Sequence, residues 1–108
     1  MKSILLIAVA VLSIGGEPQA PIAVMGFEQD SCDAWMESID NEGDRAQYRY
    51  WIRGFVSGHN FANREHQVGL QRMPDNVILT SYIDKFCTEN PRLPFTSAAF
   101  RLVQELRD

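Results

Sequence analysis

The chain has two cysteines, Cys32 and Cys87, and both follow a short apolar stretch at its amino terminus. Residues 1–16 contain one early lysine, continue through an apolar run and end in small residues, as secretory signals do. The run is shorter than the roughly 20 apolar residues that a membrane span needs. We therefore predict that the chain is exported to an oxidising compartment, where its two cysteines pair as one disulfide.

The predicted domain organisation is a signal peptide over residues 1–20, cleaved at a point left open between residues 15 and 26, and a single helical domain over residues 27–108. Residues 17–29 are rich in proline, glycine and small side chains, and we expect them to form a flexible leader. A domain of about 80–90 residues buries only roughly 60–65% of its unfolded surface. A disulfide that closes the long loop between the cysteines contributes about 4 kcal/mol in the loop-entropy description, a large part of the stability of such a domain.

The charge of the chain argues against two classes of partner. Its formal net charge is −4 and its pI is about 5.1, whereas nucleic-acid-binding domains are usually strongly basic. The sequence contains no run of lysines and arginines that would attract an anionic lipid surface. We expect no nucleic-acid partner and no membrane association of the mature protein, and we interpret the acidic stretch over residues 28–44 as a solvated face.

Apolar side chains recur at helical spacing in four segments, and few segments show the alternation of a strand. The expected helices span about residues 31–40, 45–65, 75–88 and 96–106. Asp44 is the predicted amino-terminal cap of the second helix, Pro74 and Asp75 start the third, and Cys32, Trp35 and Ile39 share one face of the first. The expected fold is all-α, a small four-helix domain stapled by one disulfide.

Two glycines, Gly54 and Gly58, lie one turn apart within the second predicted helix. Glycine in a helix interior costs about 1 kcal/mol relative to alanine. We interpret the pair as a packing notch that admits another backbone or a bulky ring. Glycines at this spacing also occur in membrane helices, but the arginines of the same segment argue against that use here.

A basic ridge runs along the second predicted helix, because three arginines recur every four residues. One interpretation is that Arg49 and Arg53 form ion pairs with the acidic first helix, through Glu37, Asp33 or Asp40. The alternative is a partner-binding strip, which two aromatic residues that fall off the main apolar stripe would complete. The candidate partner-binding residues are Arg45, Arg49, Tyr50, Arg53 and Phe61.

Few residues suggest catalytic or metal chemistry. Neither cysteine lies in a motif typical of a catalytic nucleophile, and no Cys-x-x-Cys redox motif is present. His59, Asn63 and His66 lie at helical spacing, but the two histidines would be two turns, about 10 Å, apart along a helix. We predict no catalytic residue, no metal site and no cofactor, and we expect that the chain is not an enzyme.

Three segments together resemble a known family. They are SCDAW at residues 31–35, WIRGFVSG at residues 51–58 and IDKFCTENP at residues 83–91, and a final amphipathic helix follows them. In this order they resemble the HdeA-like family of small periplasmic helical proteins, whose best-known members are acid-stress chaperones with one disulfide. The chain also resembles the Tai-type immunity proteins of type VI secretion, which are exported and helical. The cysteines here are further apart than in the chaperones and fewer than is usual in the Tai-type proteins.

The resemblance implies a non-catalytic periplasmic protein-binding domain that acts as a chaperone for unfolded clients in the stress response. Protonation of carboxylates at about pH 2–3 would loosen such a domain while the disulfide holds the chain together. The alternative is an immunity or inhibitor protein that binds one secreted effector enzyme. A homodimer formed through the second helix is left open.

Overall fold

The computed structural model describes residues 22–27, 29–70 and 72–107, and the predicted signal peptide over residues 1–20 lies outside them. Four α-helices follow one another: α1 Cys32–Glu37, α2 Glu42–Ala62, α3 Asn76–Glu89 and α4 Thr96–Leu106. A 3-10 turn, Ser38–Asp40, continues α1. The described residues contain no strand, and the predicted all-α four-helix fold is confirmed.

The caps of the two long helices follow from their sequences. The Asn41 side chain accepts the backbone N–H of Asp44 at 3.1 Å, so α2 begins earlier than predicted and Asp44 lies in its first turn. The prediction that Asp44 is the cap is therefore wrong, although its charge still suits a helix amino terminus. The third helix begins where it was predicted to begin, and the Asp75 carboxylate caps it by accepting the backbone N–H of Ile78 at 2.9 Å.

The predicted disulfide is present and fully buried. It joins Cys32, at the start of α1, to Cys87, near the end of α3. Backbone hydrogen bonds surround it, since the Cys32 N–H donates to the Leu93 carbonyl at 2.8 Å and the Phe95 N–H donates to the Asp30 carbonyl at 2.9 Å. The connection between α3 and α4 therefore encloses the beginning of α1.

The core is built around a cluster of aromatic rings contributed by three different parts of the chain. Tyr48 of α2 packs against Phe95 with ring centroids 4.6 Å apart and meets Trp35 of α1 edge-on at 5.7 Å. The inner face of α4, with Ala99 and Leu102 fully buried, closes the other side as predicted. The aromatic cluster and α4 therefore fix the inward face of α2.

Two expectations about packing are wrong. Ile39 is exposed, because the chain has left the α-helix for the 3-10 turn and the side chain no longer follows Trp35 on one face. Gly54 and Gly58 are exposed, and nothing in the described residues lies within 4 Å of the space that a Cβ at either position would fill. The glycine pair is therefore not a packing notch for any of the described residues. None of the helices in the described segments combines the length and the hydropathy of a membrane span.

Candidate functional site

The three arginines of α2 face α3 and form a ladder of polar contacts with it. The contacts join Arg45 to Asp84, Arg49 to Thr80 and Arg53 to Asn76, at 3.4, 3.3 and 2.7 Å. Both helices advance four residues from one contact to the next, as antiparallel neighbours must. The spacing of Asn76, Thr80 and Asp84 matches that of the arginines in the sequence, and this signal was available but missed.

Arg45 is the most tightly held of the three. It is 5% exposed, its guanidinium lies 3.9 Å from the centroid of the Trp35 ring, and it donates to Ser38 Oγ at 3.2 Å. Asp84 also accepts the indole N–H of Trp35 at 2.8 Å. Arg45 therefore ties α1, α2 and α3 together, and its burial makes it a structural residue.

Arg49 is also buried, at 7% exposed. It pairs with Glu42 of its own helix and donates to Thr80, while its Nε is buried without a partner within the described residues. The predicted exposed strip through Arg45 and Arg49 is wrong, because both side chains lie on the inward side of α2. The expected ion pairs with Glu37, Asp33 or Asp40 are also wrong, since the partners of these arginines lie on α3 and at Glu42.

The opposite side of α2 carries exposed aromatic rings. Tyr50 is 72% exposed and Phe61 is 79% exposed. This agrees with the prediction that both residues lie off the main apolar stripe of the helix. Gly54, Ser57 and Gly58 lie between them on the same side, and all three are exposed. We call these five residues the outward face of α2. The face carries no charged side chain, although the protein as a whole is acidic.

The segment before α1 contacts α2 beside the outward face. The indole N–H of Trp51 donates to the Met25 carbonyl at 2.6 Å, and the Phe27 ring stacks on Tyr48 with centroids 4.3 Å apart. A groove of about 380 Å³ lies here, lined by residues 22–25, Trp51, Gly54 and Phe55. A flexible leader was expected over residues 17–29, but Met25 and Phe27, which lie within that range, contact α2.

Two tyrosines donate to carboxylates. The Tyr48 hydroxyl donates to Asp30 at 2.7 Å, and the Tyr82 hydroxyl donates to Glu105 at 2.5 Å. Burial raises the pKa of both phenols above the ordinary value, and the hydrogen bond to the neighbouring carboxylate raises each further. These contacts tie α2 to the segment before α1 and α3 to α4.

The histidine segment closes the carboxyl end of α2. His59 Nε2 lies 2.9 Å from the backbone carbonyl oxygen of His66, and the Asn63 side chain lies 3.3 Å from His59 Nδ1. The described part of the chain contains no group of three or more histidine, cysteine or acidic side chains placed to hold a metal ion. The geometry here is that of a helix end joined to the following loop.

The outward face of α2 and the adjoining groove thus lie side by side on one helix and share Gly54. No family model, curated protein or solved structure matches this chain. Function is therefore inferred from the residues described above.

Proposed function

We propose that this chain is a non-catalytic, periplasmic protein-binding domain that contacts a folded partner through the outward face of α2. The observation that carries the proposal is the display of Tyr50 and Phe61 on one uncharged helix face, each more than two thirds exposed. Large aromatic side chains are enriched among the residues that dominate binding energy at protein interfaces. Two exposed aromatic rings on one face of a small acidic domain are therefore best explained by a partner that covers both.

The two glycines between the rings support the same conclusion. Each destabilises a helix interior by about 1 kcal/mol relative to alanine, and nothing else in the described chain approaches either one. Their lack of a side chain thus gives no packing advantage inside the domain. It does give a partner close access to the α2 backbone between two aromatic rings.

The proposed location is supported by two features of different kinds. The amino-terminal pattern of a secretory signal directs a chain out of the cytoplasm. The buried bond between Cys32 and Cys87 belongs to the class of structural disulfides that persist in oxidising compartments. A folded partner in the same compartment, such as a secreted effector enzyme, fits the immunity or inhibitor alternative.

A second candidate, an acid-stress chaperone for unfolded clients, is favoured by the contact of the buried Arg45 with a carboxylate of α3. In acid the cations of the chain would repel one another with little negative charge to offset them. The loosened helices would stay tethered by the disulfide and would expose Trp51, Phe55 and Tyr82 to clients. On this candidate, binding appears only in acid.

One pair of measurements tests the proposal. The immobilised protein is mixed with a periplasmic fraction of its source organism at pH 7, and captured proteins are quantified against Tyr50→Ala/Phe61→Ala and against Val77→Ala. Val77 is an exposed apolar residue on α3, so it controls for general loss of apolar surface. We expect one stoichiometric partner that Val77→Ala retains and the double variant loses at least tenfold, a change of about 1.4 kcal/mol.

The chaperone candidate predicts the opposite pattern. No partner would be retained at pH 7, and the protein would suppress light scattering by an acid-unfolded client at about pH 2–3, where carboxylates are protonated. Capture that is equal for the double variant and the parent would contradict the proposed face.

A further inference from the structure

The segment Met25–Phe27 is held on α2 by a bond that recognises backbone. The Trp51 indole N–H donates to the Met25 carbonyl at 2.6 Å, while the Met25 side chain is 90% exposed and turned to solvent. An N–H group that donates to a main-chain carbonyl can bind any extended segment that presents such a carbonyl. The contact therefore does not depend on the identity of residue 25.

The next two residues have unusual backbone geometry. Gly26 has φ +89°, and a Cβ there would lie 2.7 Å from two atoms of the Trp51 ring, so only glycine fits against the indole. Phe27 has φ +55°, a region that costs a residue with a side chain free energy. Its ring offsets that cost by stacking on Tyr48 at 4.3 Å and meeting Phe95 edge-on at 5.9 Å.

The Trp51 hydrogen bond and the Phe27 ring thus hold the segment on the domain against a strained backbone, and the Phe27 carbonyl accepts the backbone N–H of Asp30 at 3.1 Å. Beside the segment, residues 22–25 form one wall of the groove and Trp51, Gly54 and Phe55 form the other, and Gly54 also belongs to the outward face of α2. Displacing the segment would join the groove to that face as one apolar surface. Tyr48 and Phe95 would then be open to another aromatic ring.

We infer that Met25–Phe27 is an autoinhibitory strap, an intramolecular occupant of a site, formed by Trp51, Tyr48 and Phe95, that binds an extended peptide carrying a glycine followed by an aromatic residue. The occupant itself defines the recognition: Trp51 binds the backbone carbonyl, the glycine passes the indole, and Tyr48 and Phe95 hold the ring. The biological use of this strap site rests on the proposed protein-binding function, but its occupancy does not.

The test uses the full chain, with intact mass confirming that residues 22–27 are present. Phe27→Ala removes the ring of the strap, and the peptide IAVMGFEQD, the sequence of residues 22–30, is the probe. Binding is followed by the indole N–H signals of the two tryptophans in NMR spectra. We expect the Trp51 signal of Phe27→Ala to shift in a saturable way as the peptide is added. The peptide should bind this variant at least about tenfold more tightly than it binds the parent, because the strap already occupies its site in the parent.

The control peptide IAVMGAEQD lacks the aromatic ring and should leave the Trp51 signal of Phe27→Ala in place. Equal shifts with both peptides, or no shift in a variant whose near-ultraviolet circular dichroism is native, would overturn the inference. Should Phe27→Ala fail to fold, Gly26→Ala provides a second route, because its Cβ pushes the segment off Trp51 while leaving the core unchanged. It should also bind the peptide more tightly than the parent does.

The peptide test can fail independently of the proposed function. Tyr50→Ala/Phe61→Ala should bind the peptide as the parent does, because neither ring lines the groove. Loss of partner capture in that double variant, together with no peptide binding to Phe27→Ala, would overturn the strap alone. Peptide binding to Phe27→Ala without any captured partner would support the strap and overturn the proposed function.

Discussion

The guanidinium of Arg45 lies over the Trp35 ring, 3.9 Å from its centroid, and the two side chains share Asp84 as a partner. A cation over an indole ring is attracted by the electrons of its face, and the attraction increases when both groups are removed from water. The carboxylate satisfies the indole N–H and balances the cation. One residue from each of three helices therefore meets at a single point.

We predict that Arg45→Ala lowers the free energy of unfolding by about 2–4 kcal/mol. The change removes a buried cation and leaves Ser38 Oγ and the Trp35 carbonyl without this donor. Arg53→Ala is the matched control, because Arg53 has a single exposed contact with Asn76 and should cost less than about 1 kcal/mol. Urea unfolding at pH 7 with the disulfide intact measures both, and equal losses would contradict the role given to Arg45.

Replacing both cysteines by serine should cost about 2–5 kcal/mol of stability. The bond closes a loop with a sequence separation of 55, and its loss frees the unfolded chain from that constraint. The measurement is thermal unfolding of the double variant beside the oxidised parent. Reduction of the parent with a thiol should give the same unfolding midpoint as the double variant, and a parent that is unaffected by reduction would contradict the prediction.

Alanine substitution at two different glycines should change the free energy of unfolding in opposite directions. Gly58→Ala should raise the free energy of unfolding by about 0.5–1 kcal/mol, because the site is helical and its Cβ meets open space. Gly69→Ala should lower it, because Gly69 has φ +73° and a Cβ there lies 2.9 Å from the Met73 Cα atom. Chemical denaturation of the two variants checks the signs. Gain of stability in Gly69→Ala would show that the loop after α2 is not packed as described.

The two tyrosine–carboxylate contacts predict a loss of stability in alkali. The folded state raises the pKa of Tyr48 and Tyr82, so folding favours the neutral phenols. Their contribution is fully present below the ordinary tyrosine pKa of about 10 and is lost as the pH rises towards the folded values. The free energy of unfolding should fall above about pH 10, and Tyr48→Phe/Tyr82→Phe should reduce that slope. Unfolding curves between pH 8 and about 11.5 test this, and an unchanged slope in the double variant would contradict it.

The sequence predicts the helices and the disulfide well, for a physical reason. Periodicity and helix-start signals are local, so the beginning of α3 after Pro74 and Asp75 could be predicted from adjacent residues alone. The cysteine pairing needed no geometry, because the chain has only two. The sequence did not show which side of α2 faces the core, because arginines and aromatic residues both occupy several sides of this helix.

The candidate site shows this limit most clearly. The partner-binding interpretation places Arg45 and Arg49 on an exposed strip, yet their contacts with α3 bury them. Tyr50 and Phe61 were assigned correctly from helical position alone. The packing of Phe27 was missed, because a left-handed backbone at a phenylalanine leaves no mark in the sequence pattern.

The repeat of four residues in the ladder between α2 and α3 has a consequence for how the pair finds its alignment. A slip of one helical turn would place Arg49 opposite Asp84 and Arg53 opposite Thr80, and each arginine would still meet an oxygen. The ladder alone thus distinguishes poorly between neighbouring alignments. Cys87 lies three positions beyond Asp84, and its disulfide joins α3 to the helix that carries Trp35. Once the sulfurs are oxidised, this bond prevents the slip between α2 and α3.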